Sequence, residues 1–158
     1  MAGGKTNAVR ILDSKKIDYS MITYDNKDGR IDGVSVADKI GRPPEAVFKT
    51  LVANGAPGKL YVFVIPVEGE LDLKKAARAA GEKKVEMLPV KELQKWTGYI
   101  RGGCSPIGMK KLYPTYISEQ ANNLERMIVS GGKIGLQIEL APSSLLEVTG
   151  ASTADLLK

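Results

Sequence analysis

The chain has 158 residues, 43% of them hydrophobic and 26% charged, with a formal net charge of +5 and no histidine. That composition fits one soluble domain with its own core, and it excludes Ser–His–Asp and Cys–His catalysis as well as histidine-ligated zinc. A lone cysteine, Cys104, rules out an intramolecular disulfide and a cysteine metal cluster, and agrees with a reducing, cytoplasmic setting.

The spacing of apolar residues predicts a helix over Thr6 to Ile17, with Val9 and Leu12 near one stripe and Thr6 as its cap. Tyr19 to Tyr24 alternates as a strand does. Asp25 to Gly33 carries Asp-Gly twice and reads as a loop. Val34 to Ile40 is a short helix, stopped by Gly41 and then by Pro43-Pro44. Ala46 to Asn54 and Lys59 to Val67 read as strands joined by a turn into a hairpin. Asp72 caps a helix from Leu73 to Ala80 that ends at Gly81. Lys84 to Leu88 is a short strand, and Pro89 opens a helix that runs to Trp96 and ends at Gly98.

A glycine-rich loop follows. Tyr113 to Ser118 and Glu125 to Ser130 read as strands, and Gly131-Gly132-Lys133 turns the chain into a last strand, Gly135 to Leu140. Pro142 to Val148 closes as a helix stopped by Gly150. No linker, repeat or low-complexity tract divides the chain, so residues 1–158 read as one domain. The class is α+β, with helices around a mixed, largely antiparallel sheet or barrel.

No membrane partner is expected. The longest strongly apolar run, Leu60 to Val67, is too short to span a bilayer as a helix, and Met1 to Asn7 opens without an apolar leader. The positive balance suits an anionic partner such as tRNA without singling one out. The lysine pairs 15–16, 74–75, 83–84 and 110–111 are scattered, as solvated faces are.

Without histidine, catalysis falls to lysine, carboxylates, hydroxyls, backbone dipoles, water or groups on the substrate. The loop Tyr99-Ile-Arg-Gly-Gly-Cys-Ser-Pro-Ile-Gly108 is one candidate. Gly102 and Gly103 lack a Cβ and let a ligand approach the backbone, while Pro106 fixes the exit. Successive N–H groups there can converge on a phosphate or on the oxyanion of an attacked ester. The same composition also makes an ordinary turn. Lys49 is the second candidate. The strand period puts Val47, Lys49 and Leu51 on one face and Phe48, Thr50 and Val52 on the other. A lysine between aliphatics either guards an exposed edge or points into a pocket. Ser130-Gly131-Gly132-Lys133 is a hairpin turn or a second loop facing a ligand. Tyr24 either packs in the core or walls a pocket.

In this order the pieces resemble the YbaK/EbsC family of free-standing aminoacyl-tRNA deacylases, relatives of a prolyl-tRNA synthetase editing domain. The resemblance runs through Thr23-Tyr24, Val47-Phe-Lys-Thr-Leu-Val52, Gly69-Glu-Leu-Asp-Leu-Lys-Lys75, Lys83-Lys-Val-Glu-Met87, Thr97 to Gly108 and Val129 to Leu140. It implies hydrolysis of mischarged tRNA, chiefly Cys-tRNA(Pro), with no cofactor and no metal. The family's essential lysine falls on Lys49 and the threonine after it on Thr50. The glycine loop that faces the aminoacyl ester falls on Gly102, Gly103, Ser105 and Pro106, with Cys104 among them. The pocket tyrosine falls on Tyr24 and the pocket serine on Ser130. Two positions depart: Asp32 stands where the family often has an aromatic, and Gln137 where close relatives carry an aspartate. Both bear on pocket shape and charge, and so on the amino acid preferred.

The implied mechanism needs no nucleophile from the enzyme. The substrate's own cysteine thiol attacks its ester carbonyl and expels tRNA. The N–H groups of Gly102 to Cys104 are then candidates for holding the oxyanion, and Lys49 lies toward the 3′-terminal adenosine or the carbonyl. Three alternatives stay open: the same chemistry on Ala-tRNA(Pro), a non-catalytic module that binds tRNA or a nucleotide, and Cys104 as an enzyme nucleophile. No second domain is expected that could read an anticodon. The resemblance suggests prolyl-tRNA synthetase as the partner that supplies tRNA identity.

Overall fold

The computed structural model describes residues 5–158, so the start of the stretch read for its lack of a leader, residues 1–4, lies outside the described residues. Helix α1 (Asn7–Ser14) begins where the Thr6 hydroxyl accepts the Val9 N–H at 3.2 Å, and its buried stripe is Ala8, Val9 and Leu12. The same hydroxyl donates to the Gly131 carbonyl at 2.6 Å, tying the helix start to a turn far along the chain. Thr6→Val should remove both bonds and cost about 1–2 kcal/mol, read as a lower urea midpoint at unchanged m-value.

The remaining α-helices and β-strands are β1 (Tyr19–Thr23), α2 (Gly33–Ile40), β2 (Phe48–Asn54), β3 (Leu60–Pro66), α3 (Leu73–Ala80), β4 (Glu86–Met87), α4 (Val90–Thr97), β5 (Thr115–Ser118), β6 (Met127–Ser130), β7 (Leu136–Leu140), α5 (Pro142–Thr149) and β8 (Ser152–Ala154). A three-stranded antiparallel sheet has the order β1-β7-β6. The larger sheet runs β4-β2-β3-β5-β8, with β5 parallel to both its neighbours. The α+β class expected from sequence is what is found, without the barrel: β1, β4 and β8 remain outer strands, and neither sheet closes on itself among the described residues. The two sheets meet at a parallel bridge between Val47 and Ile128.

β3 is the central strand, and all of its residues are buried. Leu60, Val62 and Val64 join the main core with α1 and the smaller sheet. Tyr61, Phe63 and Ile65 join a second cluster with Ala76 and Ala77 of α3 and with Leu156. A strand covered on both faces has no polar face to show, which is why this run is continuously apolar rather than alternating. Local chemistry fixes the helix ends. The Asp72 carboxylate accepts the N–H groups of Lys74 and Lys75, and α3 stops at Gly81 in the left-handed region. Among the described residues no helix is long and apolar enough to cross a membrane.

Candidate active site

A pocket of about 680 Å³ opens where the two sheets meet. The pairing of β2 explains its position. On one side β2 pairs with β3 along its whole length. On the other, β4 pairs only with Ala53 and Asn54, Leu88 donates its N–H to the Val52 carbonyl at 2.9 Å, and Val47 bridges Ile128. Between those contacts, from Lys49 to Leu51, no strand among the described residues pairs with this edge, and the pocket lies beside the gap. The alternation of an antiparallel ladder turns the Thr50 N–H and C=O toward this open side. A pocket that wraps a strand edge meets side chains from both faces. Lys49 and Thr50 therefore both line it, although the strand period puts them on opposite faces.

Tyr24 reaches the pocket from just beyond β1, Ser130 from the end of β6 and Gln137 from β7. Gln137 lies between Ile22 and Ser130 in the register of the smaller sheet. Asp32 lines the pocket from the start of α2, where its carboxylate accepts the Ser35 N–H at 3.1 Å as a helix cap. Hydrogen bonds from the Ser35 side chain and then its main chain hold the Asp32 carboxyl below its ordinary range. Gly33 lets α2 press against the chain after β3, because a Cβ there would stand 2.3 Å from Val67 Cγ1.

The glycine loop enters the pocket with Arg101, Gly102 and Cys104. Gly102 has φ of +85°, in the left-handed region, so a glycine suits the turn. Three residues named from the sequence are placed differently: Gly103, Ser105 and Pro106 do not line the pocket. Gly103 is buried against the second glycine turn, where a Cβ would lie 2.9 Å from the main chain of Lys133 and Ile134. Its N–H donates to the Ile100 carbonyl at 2.9 Å, so it is engaged within the loop rather than offered to an oxyanion. Ser105 is fully buried, and its Oγ accepts the Ile107 N–H at 3.2 Å. Pro106 is buried beside it. These residues build the loop that presents Gly102.

Polar groups around the pocket stand without a partner among the described residues. Lys49 forms no hydrogen bond or ion pair among the described residues. The hydroxyls of Tyr24 and Thr50 are buried and unbonded. Leaving a buried hydroxyl unbonded costs about 1–3 kcal/mol, so both are available to an occupant. Cys104 is 7% exposed, and burial pushes its thiol up to about 12, with a Thr97 hydrogen bond pulling the other way. The thiol therefore stays protonated at neutral pH, when the thiolate is the nucleophilic form. Arg101 also lines the pocket, exposed, next to Gly102. Sequence reasoning gave it no role, although its place immediately before the paired glycines is the signal that could have done so.

The family model of the aminoacyl-tRNA editing domain matches residues 32–148. The chain belongs to the aminoacyl-tRNA editing domain family. That span holds every pocket residue except Tyr24, Gly29 and Ile31. Editing an aminoacyl-tRNA means hydrolysing its ester, so this editing domain is an aminoacyl-tRNA deacylase by class, as its motifs imply. It is 48% identical over 152 residues to a protein of Enterococcus faecalis provisionally named Cys-tRNA(Pro)/Cys-tRNA(Cys) deacylase EbsC, covering 96% of this chain and 93% of that one. It also resembles a crystal structure provisionally described as a trans-editing enzyme for prolyl tRNA synthetase, with a TM-score of 0.83 and 25% identity over 99% of both chains. The crystal structure of a hypothetical protein shares the editing-domain fold, with a TM-score of 0.87 at 21% identity over 96% of this chain and 99% of that one.

Proposed function

We propose that the pocket receives the aminoacylated 3′ end of tRNA and deacylates chiefly Cys-tRNA(Pro), with the substrate's own thiol as nucleophile. The observation that carries this reading is the company the pocket keeps. An unpaired Lys49 and two unbonded buried hydroxyls face a space whose one cysteine is held protonated. The groups for binding are present, but an enzyme nucleophile would need an activating base, and the chain has no histidine. The names of the Enterococcus relative and of the trans-editing structure support the same substrate.

In the proposed step the substrate Sγ forms a bond to the carbonyl carbon and the ester C–O bond breaks. The thiol proton ends on the departing ribose oxygen, and water then opens the cyclic thioester. The protein's part is to hold the acyl group in an attacking geometry and to stabilise the oxyanion. The main-chain N–H groups of Gly102 and Cys104 are assigned to the oxyanion, and Lys49 to the terminal adenosine or the carbonyl. Prolyl-tRNA synthetase supplies tRNA identity in a ternary complex, in the cytoplasm.

The test offers tRNA(Pro) charged with Cys, Ser or Ala to the wild type and to Cys104→Ser. Both proteins should release cysteine at similar rates. The seryl ester should react on the order of 100-fold more slowly, because an unactivated hydroxyl is a far weaker nucleophile than a thiol. Fast alanine release would assign the attack to a water held by the pocket. Loss of cysteine release in a folded Cys104→Ser protein would assign it to Cys104.

A further inference from the structure

Part of the pocket wall is a loop, Asp25 to Asp32, which contributes Gly29, Ile31 and Asp32 to the lining. Its own bonds are short-range: Asp25 and Asp28 accept the N–H groups of Lys27 and Arg30. Its end is fixed to α2 by the N–H groups of Ser35 and Val36, which Asp32 accepts, and its body is held by one side chain of the same helix. Lys39 Nζ donates to the Asp25 carbonyl at 2.8 Å, to Asp28 Oδ1 at 2.7 Å and to the Arg30 carbonyl at 2.9 Å. An ammonium has three donors, and all are used. The same nitrogen lies 5.8 Å from the centre of the Tyr24 ring, the ring whose hydroxyl is unbonded in the pocket. The Lys39 side chain is 20% exposed and that of Asp28 49%, against 76% and 65% for the open surface pair Lys84–Glu86, so the ammonium end of the clasp is the better shielded from water. Beyond the clasped residues, Ile31 Cδ1 reaches to 2.7 Å from where a Gly102 Cβ would stand. The loop therefore closes directly onto the glycine loop.

We infer that Lys39 is a positioning residue of the deacylase: its ammonium clasps the 25–32 wall against Gly102 and steadies the Tyr24 ring, so that tight binding of the acyl group depends on it. This inference rests on the deacylase reading of the pocket. Lys39 touches no reacting atom, so its loss acts on binding more than on the chemical step. A planar guanidinium cannot meet three acceptors that converge on one ammonium, so arginine is a poor replacement.

The experiment combines kinetics with a measurement that needs no substrate. Lys39→Met should raise KM for Cys-tRNA(Pro) about tenfold, equivalent to about 1.4 kcal/mol of binding, with kcat changed much less. Trypsin cleavage after Lys27 and Arg30, mapped by mass spectrometry, should accelerate in the same variant. Lys39→Arg and Asp28→Asn, the latter keeping both carbonyl bonds, should fall between Lys39→Met and the wild type on both readings. Should Lys39→Met fail to fold, Asp28→Asn carries the comparison alone. Unchanged cleavage at both sites, or a fall in kcat at constant KM, would overturn the proposal. A wild type that deacylates none of the charged tRNAs, with the wall still opening in Lys39→Met, would sink the deacylase reading and with it the substrate role given to Lys39, leaving only a structural clasp.

Discussion

Lys49→Ala should slow cysteine release from Cys-tRNA(Pro) by on the order of 100-fold or more, the scale of losing one electrostatic contact to a developing charge. The same protein should unfold at nearly the wild-type urea concentration. The two halves of this expectation have one cause. Lys49 is half-buried on β2 and has no hydrogen bond or ion pair to lose among the described residues. Removing it strands no partner, and its neighbour across the hairpin, Ile65, is held by its own apolar cluster. Stability should therefore move by no more than about 0.5 kcal/mol, as for substitutions away from packed or bonded features. Single-turnover release, with a urea titration on the same preparation, separates the roles. A variant that keeps a third of its rate would show that the ammonium is not needed in the reaction. A large drop in the urea midpoint would make it a structural residue.

Gly103→Ala should be strongly destabilising. Its Cβ would stand 2.9 Å from the Cα and carbonyl carbon of Lys133 and from the Ile134 nitrogen. These are backbone atoms, so no rotamer change relieves the contact, and two loops have to part. Overpacking of this kind costs about 1–3 kcal/mol, and for a chain of this size roughly 4–8 °C of Tm would be lost near the middle of that range. Activity should fall as well, by roughly 10–100-fold, because parting the loops shifts Gly102 on one side and the turn after Ser130 on the other. Gly102→Ala offers the contrast. Its added methyl meets the mobile end of Ile31, and its cost comes mainly from the left-handed backbone. Thermal melts of the two variants should rank Gly103→Ala lower. The reverse order would place the loops' tolerance at the wrong glycine.

How far the chain was legible depended on whether the cause was local. The ends of α3 follow from Asp72 and Gly81, since a cap bond and a left-handed stop involve only neighbours in sequence. The buried run of β3 was legible for a similar reason: a stretch with no polar face can go only inside. β8 was not legible. Ser152–Ala154 is short and made of small residues, and its pairing with β5 is what makes it a strand. The site divides in the same way. Lys49, Thr50, Tyr24, Ser130 and Gln137, each picked out in the sequence, line one pocket. Within the glycine loop, however, composition cannot tell the glycine that faces a ligand from the one that faces another loop. Asp32 was read as a departure in the pocket wall, but its place before a helix with Ser35 three residues on was a capping signal in plain view. Lys39 reads in sequence as an ordinary cation near a helix end. Its bonds to Asp25 and Arg30 belong to the fold.

The open stretch of β2 bears on how such a pocket drifts over generations. Thr50 turns its main-chain N–H and C=O to the pocket's side of the strand, where no strand pairs. A main-chain group survives every replacement of its own side chain except proline, which takes away the N–H alone. Whatever an occupant gains from that edge is therefore beyond the reach of most point mutations. Side chains such as Gln137 and Asp32 can vary around a fixed point of attachment. Preference for one occupant over another can change by single steps, while whatever part of it meets that edge keeps its point of attachment.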